Sequence, residues 1–597
     1  MGGGPKGRGN KDTRKPKNTK GTIIRLFAYL GKSKAKIIIA FVFVVIRTLC
    51  TLASSYMLRP LINEFIVEGA GLGRLGDLAG GLALLASIYL VNIFATYMES
   101  RIMIHVSQNA LEEIRNELFT KMQKLPIRYF DSNQTGDLMS RFTNDVDNIG
   151  FMLDSTLINL FSSILQMVGT LAMMIYTNIW LTLLTIVLVP LFVKLAGILA
   201  KAGQKYYRSQ QEALGALNGY VEESVNGQKV VKVFNHEQIC IDEFTELNTD
   251  LRDKQIKAQF YGGIMGPVMG NLGQVSYALT ALVGGILCVT NGFDVGGLTI
   301  FVNYSRQFSM PISMMANQVT AVLSALAGAE RVFTMMDQEP ENLDRENALP
   351  MENIQGRVVL DHVFFGYEPD QTVLKDICVT VEPGQKVAFV GSTGAGKTTI
   401  TNLLNRFYDI NEGTITIDGV SIKDYKGTDL RKNIAMVLQD THLFAGTVKE
   451  NIRFGRLNAT DEEVEAAART ASAHSFIMRL EKGYDTPLEG DGTNLSQGQR
   501  QLLNIARAAI SKAPILVLDE ATSSVDTRTE RHIEHGMDRL MKNRTTFVIA
   551  HRLSTVRNAD QILVLEHGQI IERGTHEELL EMKGRYYELY TGKAELD

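Results

Sequence analysis

One eight-residue stretch constrains the fold of this chain more than any other feature of its sequence. The stretch fits the pattern G-x-x-x-x-G-K-[S/T] and consists of Gly391, Ser392, Thr393, Gly394, Ala395, Gly396, Lys397 and Thr398. A predicted strand, Lys386–Val390, precedes it, and a predicted helix follows from Thr399 to residue 404. Glycines in such a turn let successive backbone N–H groups point at phosphate oxygens, and the helix N-terminus adds partial positive charge. The stretch therefore predicts a phosphate-binding loop in an α/β domain, rather than a glycine-rich turn with an incidental lysine.

A second apolar run ends in two acids whose chemistry complements this loop. Residues 515–518 predict a buried strand, and Asp519 and Glu520 follow it directly. Lys397 is expected to contact the β- and γ-phosphates, and the Thr398 hydroxyl is expected to hold Mg²⁺. Asp519 could hold the same ion through water, and Glu520 could orient and deprotonate an attacking water. A strand that ends in Asp-Glu is common by chance, so this prediction depends on its combination with the loop.

Length and charge limit the classes of protein to which the chain can belong. Its 597 residues exceed what one hydrophobic core accommodates, so two or more domains are expected. The net charge of -4 argues against a general nucleic-acid-binding protein. Four cysteines lie far apart, without metal-ligand spacing or a disulfide framework, which suits a reducing compartment. They are Cys50, Cys240, Cys288 and Cys378.

The first half contains six hydrophobic runs that are long enough to cross a bilayer. They lie near residues 37–61, 78–104, 155–177, 179–200, 261–289 and 295–326. The connections predicted outside are short, whereas residues 105–154 and 201–260 are long, polar and helical in pattern. These long connections are expected to be cytoplasmic extensions of the spanning helices, with turns at residues 131–140 and 222–229. An even number of spans returns the second half of the chain to the side of its N-terminus.

Residues 1–22 are predicted to form a disordered basic tail. The first 36 residues hold eleven Lys and Arg against one acid, Asp12. No apolar run with a cleavage site follows closely, which argues against a signal peptide. The basic charge predicts attachment to anionic membrane lipids at the cytoplasmic face, with nucleic-acid binding as the disfavoured alternative. The N-terminus and the second half are therefore expected in the cytoplasm, in a protein of the cell membrane.

Polar side chains within the predicted spans have two interpretations. The residues concerned are Arg47, Arg59, Asn303, Arg306 and Gln307. Because exposure of such groups to lipid is costly, they are expected to face the bundle interior or water. They could line a substrate cavity, or they could pair between helices, with Glu64 or Glu99 as partners.

The composition changes after Glu330, and residues 337–355 are predicted to link two domains, 23–336 and 356–597. From Gly356 onward, predicted strands alternate with predicted helices. The strands are expected at residues 357–360, 386–390, 434–438, 515–518, 545–549 and 561–565. This alternation predicts an α/β nucleotide-binding domain.

A third motif adds a resemblance to a known family. Residues 494–499 read Asn-Leu-Ser-Gln-Gly-Gln and precede a predicted helix at 500–510. This run is similar to the LSGGQ signature of ATP-binding-cassette (ABC) ATPases. Residues 357–590 resemble such an ATPase domain, and residues 23–336 resemble the membrane domain of half-size ABC exporters. The resemblance implies a helical transmembrane bundle followed by an α/β P-loop ATPase domain.

The same resemblance implies a dimer and functions for further residues. Each ATP, with its Mg²⁺, would lie between the phosphate loop of one chain and the signature of the other. Tyr367 matches the aromatic residue that stacks on adenine, and Gln439 matches the glutamine that contacts Mg²⁺ and faces the membrane domain. His551 matches the histidine at the γ-phosphate, and Asp526 matches the loop that crosses the dimer interface. The signature residues expected at the partner's ATP are Ser496, Gly498 and Gln499. Residues 131–140 and 222–229 resemble the coupling helices that dock on the ATPase.

Two departures from the family pattern bear on the identity of the partner chain. Gln497 replaces the first glycine of LSGGQ, and Gly490 stands where a second glutamate is common. Bulk at Gln497 limits how closely the backbone can approach a phosphate. With Glu520 and His551 intact, this combination resembles the catalytic-glutamate subunit of heterodimeric bacterial multidrug exporters. A homodimer with a working variant of the signature is the alternative.

Other functional classes make different demands on the sequence. A soluble ABC ATPase that acts on DNA or ribosomes would lack the spans. A peptide-maturing exporter would carry an N-terminal cysteine protease, and residues 1–36 contain neither Cys nor His. An importer of an iron carrier or other small molecule with exporter architecture stays open. The expected function is ATP-driven export of amphipathic small molecules, multidrug or lipid-like, by alternating access.

Overall fold

The structure is a computed structural model that describes residues 18–67, 75–341, 344–368, 370–439, 441–519, 527–549 and 556–591. The chain divides into two compact units. The first, the helical unit, consists of Met1–Gln123 and Thr135–Gln338. The second, the α/β unit, consists of Lys124–Gln134 and Glu339–Asp597.

Helices account for almost all of the described residues before Gln338. In chain order they are α1 (Thr19–Leu30), α2 (Lys34–Ile62), α3 (Leu75–Met122), α4 (Ile127–Asp131), α5 (Thr135–Ser140), α6 (Val146–Phe151), α7 (Leu157–Thr177), α8 (Ile179–Asn226), α9 (Gln228–Phe234), α10 (Glu237–Asn291) and α11 (Val295–Met336). Short π-helical turns follow α2, α5 and α6, so residues 135–177 form one continuous helical run. Helix α4 belongs to the α/β unit.

The helical unit has the apolar helices that the sequence predicts. Each of the six predicted spans coincides with one of the long helices α2, α3, α7, α8, α10 and α11. Among the described residues, five helical stretches are long and apolar enough to cross a membrane, and a shorter apolar stretch covers Ile179–Leu188. The predicted fold class, a helical transmembrane bundle followed by an α/β domain, is confirmed.

Asparagine and aspartate side chains define where several of these helices begin. The Asn178 side chain accepts hydrogen bonds from the backbone N–H groups of Trp180 and Leu181, which makes the tight turn between α7 and α8. Asn18 caps α1 in the same way, at 3.1 Å from the Gly21 nitrogen. Helix α1 therefore begins at Thr19, and residues 19–22, predicted as the end of a disordered tail, are helical. Residues 1–17 of that tail lie outside the described residues.

Two arginines in the predicted spans, Arg47 and Arg59, form ion pairs between helices. The Arg47 guanidinium lies 3.4 Å from the Glu99 carboxylate, so Glu99 on α3 is a partner as expected. Arg59 pairs with Asp294, the N-cap of α11, and with neither Glu64 nor Glu99. Asn63 donates to the same Asp294 carboxylate at 2.7 Å. Asp294 lies next to Arg59 because α11 begins beside the end of α2.

The amide side chains of the last span also pair between helices. Asn303 and Gln307 on α11 both donate to the Ser55 hydroxyl of α2, at 3.4 and 2.8 Å. Gln166 of α7 donates to the Gln307 carbonyl oxygen at 3.0 Å. These four side chains, Ser55, Gln166, Asn303 and Gln307, form a polar cluster between three helices and are called the amide cluster below.

The α/β unit contains twelve strands in its described residues. They are β1 (Val358–Phe365), β2 (Leu374–Val381), β3 (Lys386–Val390), β4 (Glu412–Ile417), β5 (Val420–Ser421), β6 (Ile434–Val437), β7 (Gly446–Thr447), β8 (Pro487–Leu488), β9 (Ile515–Asp519), β10 (Thr545–Ile549), β11 (Gln561–Glu566) and β12 (Gln569–Gly574). Its helices after α4 are α12 (Lys397–Leu404), α13 (Gly427–Lys432), α14 (Val448–Arg453), α15 (Asp461–Thr470), α16 (His474–Ile477), α17 (Gln497–Ser511), α18 (Thr527–Met541), α19 (His576–Met582) and α20 (Arg585–Tyr590).

Two sheets organise this unit. The larger has the order β12-β11-β3-β10-β9-β6, and it is parallel except for the edge strand β12. The smaller is antiparallel, with the order β2-β1-β4-β5. Alternate residues of β3 enter different hydrophobic cores: Val387 and Phe389 join one, and Ala388 and Val390 join the other. The larger sheet is thus covered on both faces, as buried parallel sheets require.

We expect the substitution Arg47→Met to destabilise the helical unit. The Glu99 side chain is 5% exposed, so the substitution would leave a carboxylate buried without its cation, at a cost of about 3 kcal/mol. Thermal denaturation of the purified protein should show a lower midpoint. The double variant Arg47→Met/Glu99→Met should recover most of that loss, since it removes both charges. Equal midpoints for the single and double variants would contradict the pairing.

Candidate functional site

The order and register of the larger sheet bring the predicted site residues to one edge. Strands β3, β10 and β9 run parallel, and Ile549 is in register with both Phe389 and Asp519. Strand β6 continues the parallel set beside β9. The phosphate loop after β3, Asp519 at the end of β9 and Gln439 after β6 therefore all lie at the carboxyl ends of the strands. Ligands of parallel α/β sheets bind at this edge.

Lys397 lies folded over the phosphate loop, residues 391–398. Its side-chain ammonium donates to the carbonyl oxygens of Gly391 and Ser392, at 2.7 and 3.0 Å. The residue is 5% exposed, so this positive charge is held inside the unit beside the loop backbone. A buried ammonium next to a loop of backbone N–H groups is the charge arrangement that a phosphate group requires.

Three glycines shape the loop, and two of them allow its backbone to pass close to neighbouring parts of the unit. A Cβ atom on Gly391 would lie 2.2 Å from the Leu565 carbonyl oxygen, and one on Gly396 would lie 2.6 Å from a Leu374 methyl carbon. Gly394 has a φ of +82° and no atom within 4 Å of its would-be Cβ, so this part of the loop faces open space. Only glycine fits these positions without strain. The middle of the loop is thus left accessible to a ligand.

The first turn of α12 follows the loop without a side-chain cap, because its N-cap residue is Gly396. The early N–H groups of a helix bind anions, and the helix dipole favours negative charge there. Thr398 is exposed at this turn, whereas Thr399 is buried. The loop, the ammonium and the helix terminus therefore fit the phosphates of a nucleotide.

The acids and the histidine of the predicted site are partly described. Asp519 is the last residue of β9 and is 6% exposed. An oxygen ligand at this place suits Mg²⁺, as does the exposed Thr398 hydroxyl, so the donor types fit the ion. Gln439 is exposed. Glu520, Asp526 and His551 lie outside the described residues, and their functions stay predictions.

Tyr367 lies in an aromatic cluster beside the phosphate loop. Its ring packs edge-on against Phe365 and Tyr408, at centroid distances of 5.0 and 4.9 Å. Its hydroxyl shares a hydrogen bond with the Thr399 hydroxyl at 3.2 Å. The residue that the sequence assigns to adenine is thereby attached to the first turn of α12.

Helix α4 supports this aromatic cluster from 239 residues away in the chain. The Arg128 guanidinium donates to the Tyr367 carbonyl oxygen at 3.1 Å, and the Tyr408 hydroxyl donates to the Asp131 carboxylate. Burial raises the pKa of the Tyr408 phenol, and its hydrogen bond to Asp131 raises it further. Tyr408 therefore keeps its proton and donates at any physiological pH. Asp131 begins a predicted turning point, but the contacts of Arg128 and Tyr408 had no signal in the sequence.

The signature run begins helix α17. Ser496 is the N-cap, and its hydroxyl accepts from the Gln499 N–H while the Gln499 side chain accepts from the Ser496 N–H. This reciprocal pair is a capping box. Gly498 is buried in the first turn, whereas Ser496 and Gln497 are exposed. The side chain that replaces the first glycine of LSGGQ therefore points away from the core, toward whatever approaches this helix end.

The signature helix also holds the backbone that follows β6. Asn504 donates to the Leu438 carbonyl oxygen at 3.3 Å, and Arg507 donates to the His442 carbonyl oxygen at 3.0 Å. The Thr441 hydroxyl donates to the Gln501 side chain. Gln439 thus lies in a segment that is attached to α17 by three hydrogen bonds. The sequence predicted Gln439 and the signature as separate motifs. It gave no sign of the connection between them, because Thr441, Asn504 and Arg507 belong to no recognisable motif.

Comparisons with known proteins identify the family. Residues 37–312 match the model described as "ABC transporter transmembrane region", and residues 374–523 match the one described as "ABC transporter". The chain belongs to the ABC transporter family. It is 44% identical over 98% of its length to an uncharacterized ABC transporter ATP-binding protein, YfiC, of Bacillus subtilis (strain 168), and covers 96% of that protein.

Two further similarities specify the architecture. The chain is 43% identical to a fatty acid ABC transporter ATP-binding/permease protein of Mycobacterium bovis, over 85% of this chain and 80% of that protein. It is also similar to the structure of a bacterial Atm1-family ABC exporter with ATP bound, with a TM-score of 0.74 and 28% identity. That match covers 94% of this chain and 98% of the other. The protein is a multi-pass half-size ABC exporter that binds ATP, couples its hydrolysis to transport and acts as a dimer.

We expect Arg128→Ala to weaken the use of ATP without removing the site. Loss of the hydrogen bond to the Tyr367 carbonyl, worth about 1 kcal/mol, should raise the KM for ATP about fivefold. Steady-state ATPase assays at varied ATP would measure this. Arg345→Ala is the matched control, since it removes an exposed arginine of the same unit that pairs with Asp424. An equal rise in both variants would contradict a specific contribution of α4.

Proposed function

We propose that this chain is one half of an exporter that moves amphipathic small molecules out across the cytoplasmic membrane by alternating access. One observation carries the proposal: the same chain contains both a set of apolar spanning helices and a complete phosphate loop. Three of those helices are joined to each other by the amide cluster. The fatty acid transporter among its relatives supports an amphipathic substrate. The basic N-terminal residues favour a cytoplasmic N-terminus held at anionic lipids, with the α/β unit on the same side.

Different residues of the α/β unit would bind ATP, hold Mg²⁺ and catalyse hydrolysis. Lys397 and the loop N–H groups bind the phosphates, and Tyr367 packs on the adenine. Thr398, Gln439 and Asp519 would hold Mg²⁺, which would supply charge stabilisation at the phosphate oxygens. Glu520 takes the proton of the attacking water, and His551 contacts the γ-phosphate.

The signature would complete the site of a second chain. The exposed Ser496 at the N-terminus of α17 supplies a donor to the partner's γ-phosphate, with Gly498 and Gln499 in the same first turn. Asp526 lies in the loop expected at this interface. Closure of the two α/β units on ATP turns the substrate cavity outward, and hydrolysis resets it.

A heterodimer is the assembly that we favour. Gln497 is exposed where family members carry a glycine, so its side chain would stand between the backbone and a nucleotide across the interface. In a heterodimer, the signature of this chain would complete an ATP site that hydrolyses ATP slowly. Glu520 would act at the other ATP site, which the partner's signature completes and which hydrolyses ATP efficiently. A homodimer is the competing assembly.

We expect Glu520→Gln to abolish steady-state ATP hydrolysis while ATP binding persists. Removing the general base should lower the rate by about 100-fold or more, because proton transfer from water loses its acceptor. Hydrolysis is measured as phosphate release from the purified, lipid-reconstituted protein, and binding is measured with a fluorescent ATP analogue. Glu481→Gln, which changes an exposed acid of the same unit, is the control. Undiminished turnover in the Glu520 variant would overturn the assignment of the base.

The assembly is tested by purifying the tagged chain from its native membranes. A heterodimer predicts a second ABC half-transporter in equal amount, with a different residue at the position equivalent to Glu520. In the purified pair, Glu520→Gln in this chain alone should then remove nearly all hydrolysis. Recovery of a single chain that is active as a homodimer would refute the heterodimer and leave the exporter proposal intact.

A further inference from the structure

One arginine of helices α2 and α11 has no acidic partner among the described residues, whereas the others do. These two helices carry four arginines, and three form ion pairs: Arg47 with Glu99, Arg59 with Asp294 and Arg331 with Asp145. The fourth, Arg306, is exposed and contacts no acid among the described residues. An arginine without a counter-ion among the described residues, on a helix whose one other arginine, Arg331, has one, calls for a further partner.

Arg306 lies well inside the apolar part of the helical unit. It is twelve residues beyond Asp294, which corresponds to about 18 Å along the helix, against a hydrocarbon core of about 30 Å. Close by on α11, the Tyr304 hydroxyl donates to the Leu52 carbonyl oxygen, near the middle of α2. An arginine facing lipid at such a depth would cost about 3 kcal/mol or more. The guanidinium must therefore face water or an anion.

The neighbours of Arg306 point to a polar cavity and not to lipid. Asn303 and Gln307 flank it on α11, and both belong to the amide cluster through their bonds to Ser55. Residues three apart lie on the same side of a helix, so Arg306 is next to Asn303 on the helix surface. Thr299, seven residues earlier on the same side, is also exposed. An exposed cation thus stands beside a cluster of neutral hydrogen-bonding groups.

A second copy of this chain offers no unpaired acid within its predicted spans. The six predicted spans contain a single Asp or Glu, Glu99, and it already pairs with Arg47. The Asp294 carboxylate at the start of α11 is engaged by Arg59, Asn63 and the Gly297 N–H. At the depth of Arg306, we therefore expect its anion to come from outside this sequence.

We propose that Arg306 binds the anionic head group of the transported amphiphile. This inference rests on the proposed export function and adds the charge class of its substrate: a carboxylate or phosphate joined to an apolar tail. A guanidinium presents paired N–H donors that match two oxygens of either group, and a low-dielectric site strengthens the bond. The amide cluster supplies neutral donors and acceptors beside the head group, and the apolar helices accept the tail.

The test compares probes that share a tail and differ in head-group charge. The protein, with its partner chain if one co-purifies, is reconstituted in phosphatidylcholine vesicles. ATP-driven movement is measured for pyrene-labelled amphiphiles with a carboxylate, a phosphate monoester, a neutral alcohol and a quaternary ammonium head group. We expect Arg306→Gln to raise the half-saturating concentration of the anionic probes about tenfold or more and to leave the neutral probe unchanged.

Three controls keep the result specific. Arg306→Lys keeps the charge but loses the paired donors, so it should retain part of the anion transport. Arg208→Gln removes an arginine of the cytoplasmic part of α8 that pairs with Glu212, and it should leave all probes unchanged. Thermal denaturation and basal ATPase activity of each variant report whether the fold is intact.

Each outcome has a defined meaning. A selective effect on the carboxylate probe identifies a fatty-acid-like substrate, and one on the phosphate probe identifies a phospholipid-like substrate; both support the proposal. An equal loss for all probes, or a loss of dimer stability, would show that Arg306 pairs with an acid of a different partner chain and would overturn it. Unchanged anion transport in Arg306→Gln would also overturn it. If the unaltered protein moved no probe with ATP, the export proposal itself would fail.

Discussion

A positive charge inside a protein or a membrane is stable only when oxygen atoms surround it, because burial removes the water that would otherwise solvate it. Both units of this chain are arranged around that constraint. In the α/β unit, the Lys397 ammonium is enclosed by the carbonyl oxygens of its own loop. In the helical unit, Arg59 is enclosed by the N-cap of the helix that packs beside it. The same constraint draws attention to Arg306, which has no such enclosure among the described residues.

Hydrogen bonds in the α/β unit connect the phosphate loop to the aromatic cluster, and the segment around Gln439 to the signature helix α17. The parallel strands place the phosphate loop, Asp519 and Gln439 along one edge, and hydrogen bonds then extend from that edge in two directions. On one side, Tyr367 is bound to Thr399 of α12 and to Arg128 of α4. On the other, the backbone around Gln439 is bound to α17, which begins with the signature. A change at the nucleotide can therefore reach both neighbours through short, defined contacts.

The sequence predicted those parts of the structure that local patterns encode. Long apolar runs located the spanning helices, and short apolar runs beside recognised motif residues located β3, β6, β9 and β10. The antiparallel strands β2, β4 and β12 were missed, because they contain no continuous apolar run and their pairing is interrupted by shifts in register. In β1 and β2, His362 and Asp376 adopt positive φ values of 48° and 57°, and the pairing shifts at both places. Such irregular strands lack the continuous pattern from which a strand is predicted.

Long-range pairs were beyond prediction for a different reason. Asp294 is 235 residues from Arg59, and nothing in either local sequence favours this acid over Glu64, which is much nearer in the chain. The contacts of Arg128 and Tyr408 are likewise set by how distant segments meet. The positions of the phosphate loop, Asp519 and Gln439 at one edge of the sheet did follow from the sequence, since each lies at or near the end of a predicted strand. The functions of these residues, and those of Glu520, Asp526 and His551, stay predictions.

The assignment of residues 124–134 to the α/β unit has a practical consequence for how this transporter is dissected. A fragment cut at the end of the spanning helices, from residue 339 onward, would include every nucleotide motif but would lose Arg128 and Asp131. Tyr367 would then lose the hydrogen bond that its carbonyl oxygen accepts from Arg128. The Tyr408 hydroxyl would lose its acceptor, Asp131, and would be left to solvent. Nucleotide affinities measured on such an excised piece would describe a different pocket from the one that works in the intact chain.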